Sequence, residues 1–535
     1  MRTSFVVVGP RVVPFLVPAC LLLLACSSSP SAASGGSPGS SDGGLADDAH
    51  MGAPSDGGTS ADAPGSPTSD GGGETGPSDD AGDGGALDSW GLTKVLTGEY
   101  ATHLLVKGTL YTLSATSYQG VPGASLPPVP IDVPAGTTFI DGQSGLHQSL
   151  GVDSTGHVWM WGDNPSGDAG IDGTGSGVLP YRVAHDASGN DFADVVSVTA
   201  GDEVDGAVKS DGTVWVWGTC TGGLSGDGKD SLESIVYPTQ VPIPLPGGVK
   251  ATKLLLGNIG LVLASDGSVW AWGGGGTPGA VGMGNTTGYA SAQKLATLPA
   301  NVVDIAMGGN FTYALTGDGE LYGWGYFGLN LGLGTWQASN PSCYAPTLTP
   351  TLLTSAPAGQ TPALPLPAKV SKVVADAITT HVILTDGSLW GWGDDAQGEV
   401  GDGQQLDWWS TTEPFAWDWG QCELPVVKPV QIAKDVTSPW VAMWSNSPAV
   451  FYTFAMTADG TLYSWGRNKT GNLGNGVVAP NTQQAAQYPD SWNVPVPTAV
   501  TPLSLKQVTP VGSPYCMKFG DAGDCVCPNG TQQGC

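Results

Sequence analysis

Six histidines, His50, His103, His147, His157, His185 and His381, are the residues of this chain whose ordinary titration lies nearest neutrality, and they are scattered along it. Acid–base or metal chemistry needs partners at set spacing, and the histidines have none. There is no His-Glu-x-x-His pair for zinc and no Gly-x-Ser-x-Gly elbow accompanied by base and acid. The run Gly226-Asp-Gly-Lys229 lacks the Ser or Thr that a phosphate loop places after its lysine, and the glycines of 273–282 match no helix-opening fingerprint. His103, His147 and His381 sit just before the strand preceding a turn, and histidine's intermediate burial favours satisfied structural residues over catalytic ones. Two acidic clusters, Asp163/Asp168/Asp172 and Asp394/Asp395/Glu399/Asp402, offer oxygens, but not at the alternate positions of a calcium loop. They read as solvated Asx turns. The expectation is therefore a protein with no catalytic residues, no metal and no cofactor.

The cysteines divide by position. Arg2 and Arg11 precede the apolar run Val12–Ala25, too short to span a bilayer and ending in Leu23-Leu24-Ala25-Cys26. Residues 1–25 read as a signal peptide and Cys26 as the acylated first residue of a bacterial lipoprotein, with Ser27 compatible with the outer membrane. Residues 26–89 are Ser/Gly/Asp-rich, with ten Asp, one Glu and neither Lys nor Arg, and read as a disordered tether. The whole chain carries a formal charge of −29, which disfavours nucleic acid and leaves the membrane to the lipid alone. Export permits disulfides. Cys516, Cys525, Cys527 and Cys535 in the tail 513–535 are read as two bridges of open connectivity; the one-residue gap between Cys525 and Cys527 argues against zinc.

What must position any site is a repeat. Asp-Gly or its equivalent, then alternating apolar and aromatic residues, then Trp-Gly, recurs at Gly156, Gly212, Gly267, Gly319, Gly387 and Gly460, with a weaker copy at Lys107-Gly108. Asp-Gly between two alternating apolar runs predicts a hairpin with a type I′ turn. Along Thr213–Trp217 valines occupy one face and tryptophans the other, so both faces are apolar and both must be covered. Blades packed radially satisfy that; a two-layer sandwich does not. Another apolar run precedes each hairpin, as at Lys94, Val195, Val302 and Ser371. A final run, 505–512, is expected to close the ring by supplying a strand that the first blade lacks.

The pattern in Val302–Gly325, with the glycine loops Gly393…Gly403 and Gly466…Gly476, resembles the regulator of chromosome condensation repeat. The Gly-His and Trp-Asp signature of WD-type propellers is absent. The resemblance covers residues 90–512 and implies an all-β, seven-bladed β-propeller. Its members include nucleotide-exchange factors, ubiquitin-ligase components, photoreceptors and secreted inhibitors, which share a propeller face that grips another protein. Turn spacing is longest in the two adjacent units after Gly319 and Gly387, at 68 and 73 residues. Those insertions carry Cys343 and Cys422, a candidate disulfide, and Trp336, Trp408, Trp409, Trp417 and Trp419, candidate binding anchors. The ten tryptophans of the repeats are assigned to blade packing. The chain thus reads as a monomeric, lipid-anchored recognition scaffold of the cell envelope for a protein partner. Carbohydrate binding or adhesion is the alternative, with hydrolysis a distant third.

Overall fold

The computed structural model describes residues 91–500, apart from the connections 114–127, 165–174, 230–232, 326–330, 333–345, 357–359, 404–425, 446–450 and 475–493 and isolated positions, together with three short strands within 517–534. The chain divides into two units, 1–76 and 77–535, and the first lies wholly outside the described residues. So do the signal segment, Cys26 and the tether. Every described element is a strand.

Seven four-stranded antiparallel sheets follow one another as Leu92–Pro130, Phe139–Arg182, Val195–Val241, Ala251–Lys294, Val302–Leu352, Val370–Ile432 and Trp440–Ala499, here blades 1 to 7. Each is built from consecutive strands, so the hairpins seen in the sequence are local. The first strands, Leu92–Thr97, Phe139–Ser144, Val195–Ala200, Ala251–Leu256, Val302–Met307, Val370–Ala375 and Trp440–Trp444, form the inner ring, each beside the next, with the last beside the first. The chain is a seven-bladed β-propeller.

The strand-terminal glycines explain the turns, with one correction. Gly156, Gly212, Gly267, Gly319, Gly387 and Gly460 all have φ between 75° and 84°, as the left-handed position requires. The preceding residue is not left-handed in these six, so they are not type I′ turns; only Lys107-Gly108, with φ of 48° and 79°, has that form. The aspartate instead accepts the N–H two residues on, as Asp211 does from Thr213 at 2.9 Å and Asp386 from Ser388 at 2.9 Å. That Asx bond stabilises a longer turn, which removes the need for a second positive φ.

Ring closure also differs from expectation. Blade 1 has four strands of its own, so none is borrowed; residues 505–512 lie outside the described residues. Closure is by packing. Leu92, Val95, Leu104 and Val106 of blade 1 share a core with Trp444, Tyr452, Phe454 and Met456 of blade 7. Within it the Tyr452 hydroxyl donates to Gly98 O at 2.6 Å, lies 2.7 Å from Thr102 Oγ1 and accepts Gly98 N–H at 3.1 Å.

The outer strands protect their edges with proline, which has no N–H to offer another chain. Counting two residues back from the partner of the first aromatic of the third strand gives Pro180, Pro238, Pro350, Pro429 and Pro497 in blades 2, 3, 5, 6 and 7. In blade 4 the same position is Ala292, packed against blade 3. In the tail, Met517–Lys518, Asp524–Val526 and Gln532–Gly534 form a small three-stranded sheet, placing Cys525 opposite Gln533.

Candidate binding faces and the channel mouth

The repeated tryptophans are the mortar between blades. The second tryptophan is fully buried in the six copies that carry one, and in all of them but that of Trp217 its indole N–H is bonded to the blade before it. Trp272 donates to Leu224 O at 2.9 Å, Trp324 to Ala280 O at 3.0 Å and Trp465 to Glu399 O at 2.9 Å. Trp161 donates to His103 Nε2 at 3.2 Å, and Trp392 to the Tyr313 hydroxyl at 3.1 Å. The glycine loops exist for these rings. A Cβ on Gly282 would stand 2.7 Å from the Trp324 indole, and one on Gly401 2.7 Å from that of Trp465. The first tryptophan is held by its own turn: Trp215, Trp270 and Trp390 donate to Thr213, Ser268 and Ser388.

The histidines take structural places. His103 and His381 are fully buried, each edge-on to the tryptophan of the following blade with ring centroids 5.3 Å apart. His103 accepts from Trp161, and His381 Nε2 lies 3.1 Å from the carbonyl of Val400, to which it donates. Burial lowers the pKa of His103 to about 3 and that of His381 to about 4, so both are neutral at pH 7. His147 is half-buried at the end of the turn into the second strand of blade 2. His157 sits in a hairpin with Nδ1 2.8 Å from Thr155 Oγ1 and Nε2 3.3 Å from Asp191. His185 stacks on Tyr237 at 4.4 Å. His50 lies outside the described residues. Of the two acidic clusters, Asp395 and Glu399 are buried within the blade 6 loop, and Asp395 Oδ1 accepts the Val400 N–H at 2.9 Å. These two are not the solvated side chains expected from the sequence, because the glycine loop is pressed under Trp465. The side chain of Asp163, and Asp168, Asp172 and Asp394 altogether, lie outside the description. Among the described residues no group of three metal-ligating side chains comes together.

Strand direction assigns the connections to two faces. Hairpins between second and third strands open on one face, and connections between third and fourth strands on the other. The segment between Gly325 and Thr347 and that between Gly393 and Val426 are equivalent connections of neighbouring blades, so both leave the face opposite the hairpins. Trp336, Trp408, Trp409, Trp417, Trp419, Cys343 and Cys422 belong to these segments and lie outside the described residues, as do Cys516, Cys527, Cys535 and the side chain of Cys525. Cys220, in the third strand of blade 3, is buried.

Each face has its own channel mouth. On the insertion face, the inner strands of blades 1 to 5 end in glycine: Gly98, Gly145, Gly201, Gly257 and Gly308. A Cβ on Gly98 would meet Gly145 O at 2.6 Å, and one on Gly145 would meet Gly201 O at 2.4 Å, so the blades touch backbone to backbone. Blades 6 and 7 carry Asp376 and Ser445 instead. Burial raises Asp376 to about 7 although Ile378 and Thr379 donate their N–H groups to Oδ1 at 3.0 and 2.6 Å.

The hairpin-face mouth is charged. The third residue of each inner strand, which follows a bulge in most blades, is in order Lys94, Asp141, Ser197, Lys253, Asp304, Lys372 and Ala442. Lys94 Nζ bonds Asp141 Oδ1 at 2.7 Å, and Lys253 Nζ bonds Asp304 Oδ1 at 2.9 Å, each lysine reaching the next blade. Just before these, the bulge residues include Ile140 and Val303, at 52% and 58% among the most exposed large apolar side chains described. Sequence reasoning missed this ring. Aligning the inner runs on their apolar pairs ("TKVL", "TKLL", "VDIA", "SKVV") would have shown it.

Comparison with known proteins agrees with this architecture. The Regulator of chromosome condensation (RCC1) repeat matches residues 302–328 and 459–512. The ultraviolet-B receptor UVR8 of Arabidopsis thaliana is 27% identical over 65% of this chain and 72% of its own. The mitochondrial RCC1 domain-containing protein RUG3 of the same plant is 26% identical over 57% of this chain, which spans 58% of RUG3. Among solved structures, yeast RCC1 (Prp20) in its complex with Kap60 superposes with a TM-score of 0.51 at 21% identity, over 72% of this chain and 80% of that one. Human WBSCR16 gives 0.51 at 19% identity, over 66% and 83%. With the repeat matched within two of its seven blades, the chain is a propeller that carries RCC1-type repeats.

Proposed function

We propose that the chain is a non-catalytic recognition scaffold, anchored at a bacterial cell envelope through lipid on Cys26, that grips a protein partner with the 326–346 and 394–425 connections. One observation carries the reading: the two longest turn-to-turn intervals, with five tryptophans, fall in equivalent connections of adjacent blades and leave one face. Loops on a rigid scaffold are where binding residues concentrate, and tryptophan is the commonest anchor of protein interfaces. The complex of yeast RCC1 (Prp20) with Kap60 is a precedent for an RCC1-type propeller in a protein assembly. A Cys343–Cys422 disulfide would join the two connections.

The test is capture from envelope extract by the full-length chain, followed by affinity measurement with the purified partner. Changing Trp336, Trp408, Trp409, Trp417 and Trp419 to Ala is expected to weaken binding at least tenfold while leaving the melting temperature in place. Unchanged affinity would remove the assignment of the face. Binding only to a glycan array would replace the protein partner by carbohydrate. Radiolabelled palmitate should enter the wild type and not Cys26→Ser.

A further inference from the structure

The ring on the hairpin face repeats a unit of two: a lysine in one blade and an aspartate in the next. It is complete between blades 1 and 2 and between blades 4 and 5. It begins a third time at Lys372 in blade 6 and breaks off at Ala442 in blade 7. Lys372 pairs in the sheet with Ile383 as Lys94 does with Leu105 and Lys253 with Leu263, so all three lysines occupy one register position. Where the next blade supplies the first two with a carboxylate, it has alanine at the position facing the third.

Lys372 is half-buried, and among the described residues it has no carboxylate within ion-pair distance. The nearest acid of the ring by position, Asp304 in blade 5, is taken by Lys253 and also accepts the N–H of Ile305 at 2.8 Å. On the other side of Ala442 stands Lys94, already bound to Asp141. The gap at Ala442 therefore has a lysine on each side and no acid of its own. A partly desolvated ammonium without a counter-charge is costly, and the site relieves that cost by taking an anion. The polyanionic character of the whole chain makes this local excess of cations stand out further.

We propose that the hairpin-face mouth binds a small oxyanion, a carboxylate or phosphate, in the Lys372–Ala442 gap, with Lys372 as its principal ligand. The anion occupies the place that Asp141 and Asp304 fill in the other two units. Ser371 and Thr93 lie one residue before Lys372 and Lys94, but their hydroxyls already donate to Ile383 O and Leu105 O, so the charge does the binding. The site is on the face opposite the tryptophan-bearing connections and does not depend on them.

The experiment is calorimetric titration of the full-length protein at low ionic strength with inorganic phosphate and, separately, with citrate. Sodium chloride of matched ionic strength is the control. A saturable single-site isotherm is expected for at least one of the two anions and none for chloride. Lys372→Met should lower the affinity at least tenfold. Ala442→Asp, which supplies the missing carboxylate, should abolish binding in the folded protein. This second variant decides the matter if Lys372→Met does not fold. Absence of a saturable isotherm with both anions, or an isotherm unchanged in either folded variant, would overturn the proposal. Neither result bears on partner binding by the opposite face.

Discussion

Gly401→Ala puts the blade-to-blade lock to a quantitative test. Gly401 has φ of +81°, and a Cβ there would stand 2.7 Å from Cδ1 and Nε1 of Trp465, whose ring is fully buried and tied to Glu399 O at 2.9 Å. The left-handed conformation alone costs a residue with a Cβ about 1–2 kcal/mol. Forcing a methyl group into a close-packed ring adds about 1–3 kcal/mol, because the indole has no room to withdraw. Gly403 supplies the control two residues on. Its φ is +91°, but its Cβ would meet only Val496 Cγ1, at 3.5 Å. Gly403→Ala should therefore lose only the conformational part, and Gly401→Ala both. Guanidinium unfolding followed by tryptophan fluorescence should separate the two variants by at least about 1 kcal/mol, with the near-ultraviolet dichroism of buried indole altered only in Gly401→Ala. Equal destabilisation by the two substitutions would mean that the loop does not pack on the next blade's tryptophan.

Tyr452→Phe leaves the backbone N–H and C=O of Gly98 without the hydroxyl, buried between blades 7 and 1. It should cost about 2–3 kcal/mol in denaturant unfolding, with faster hydrogen exchange in Leu92–Thr97. Ala292→Pro puts into blade 4 the residue that five other outer strands carry at that position, and should stabilise the protein by about 0.4–1 kcal/mol in the same assay. Asp376 titrates near 7 folded and 3.8 unfolded, so the native state holds the extra proton and wild-type stability falls as pH rises from about 4 to about 7. Asp376→Asn removes that slope, so its melting temperature relative to wild type should be higher at pH 8 than at pH 5.

Much of the fold was legible because its determinants are local. A glycine at positive φ, an aspartate two residues before a hydroxyl and two tryptophans at alternate positions are contiguous in the copies at Gly212, Gly267 and Gly387, and the other copies keep most of the pattern. Turn geometry was misjudged for an equally local reason: the Asx bond of Asp211 or Asp386 offers a second route to a tight hairpin. The cross-blade features were harder to see. Lys94 and Asp141 are 47 residues apart, and Lys253 and Asp304 are 51 apart, so neither pair forms a motif until the inner strands are placed side by side. The closing strand was assigned to 505–512 on the premise that a ring needs a shared sheet, whereas Tyr452 and the apolar residues around it provide a packed seam. The tryptophans of the two long connections remain a reading of composition and position alone.

The seam between blades 7 and 1 is where the ring stands or falls, and Glu99 and Arg467, with charged groups 3.7 Å apart across it, mark it on the surface. Combining Glu99→Cys with Arg467→Cys and treating the dilute protein with a short bismaleimide, whose arm replaces the reach of the two long side chains, should give an intramolecular crosslink, read by peptide mapping as a single link between positions 99 and 467 in a monomer. Linkage only between molecules, or none under conditions that leave the protein folded, would mean that the seven blades do not close.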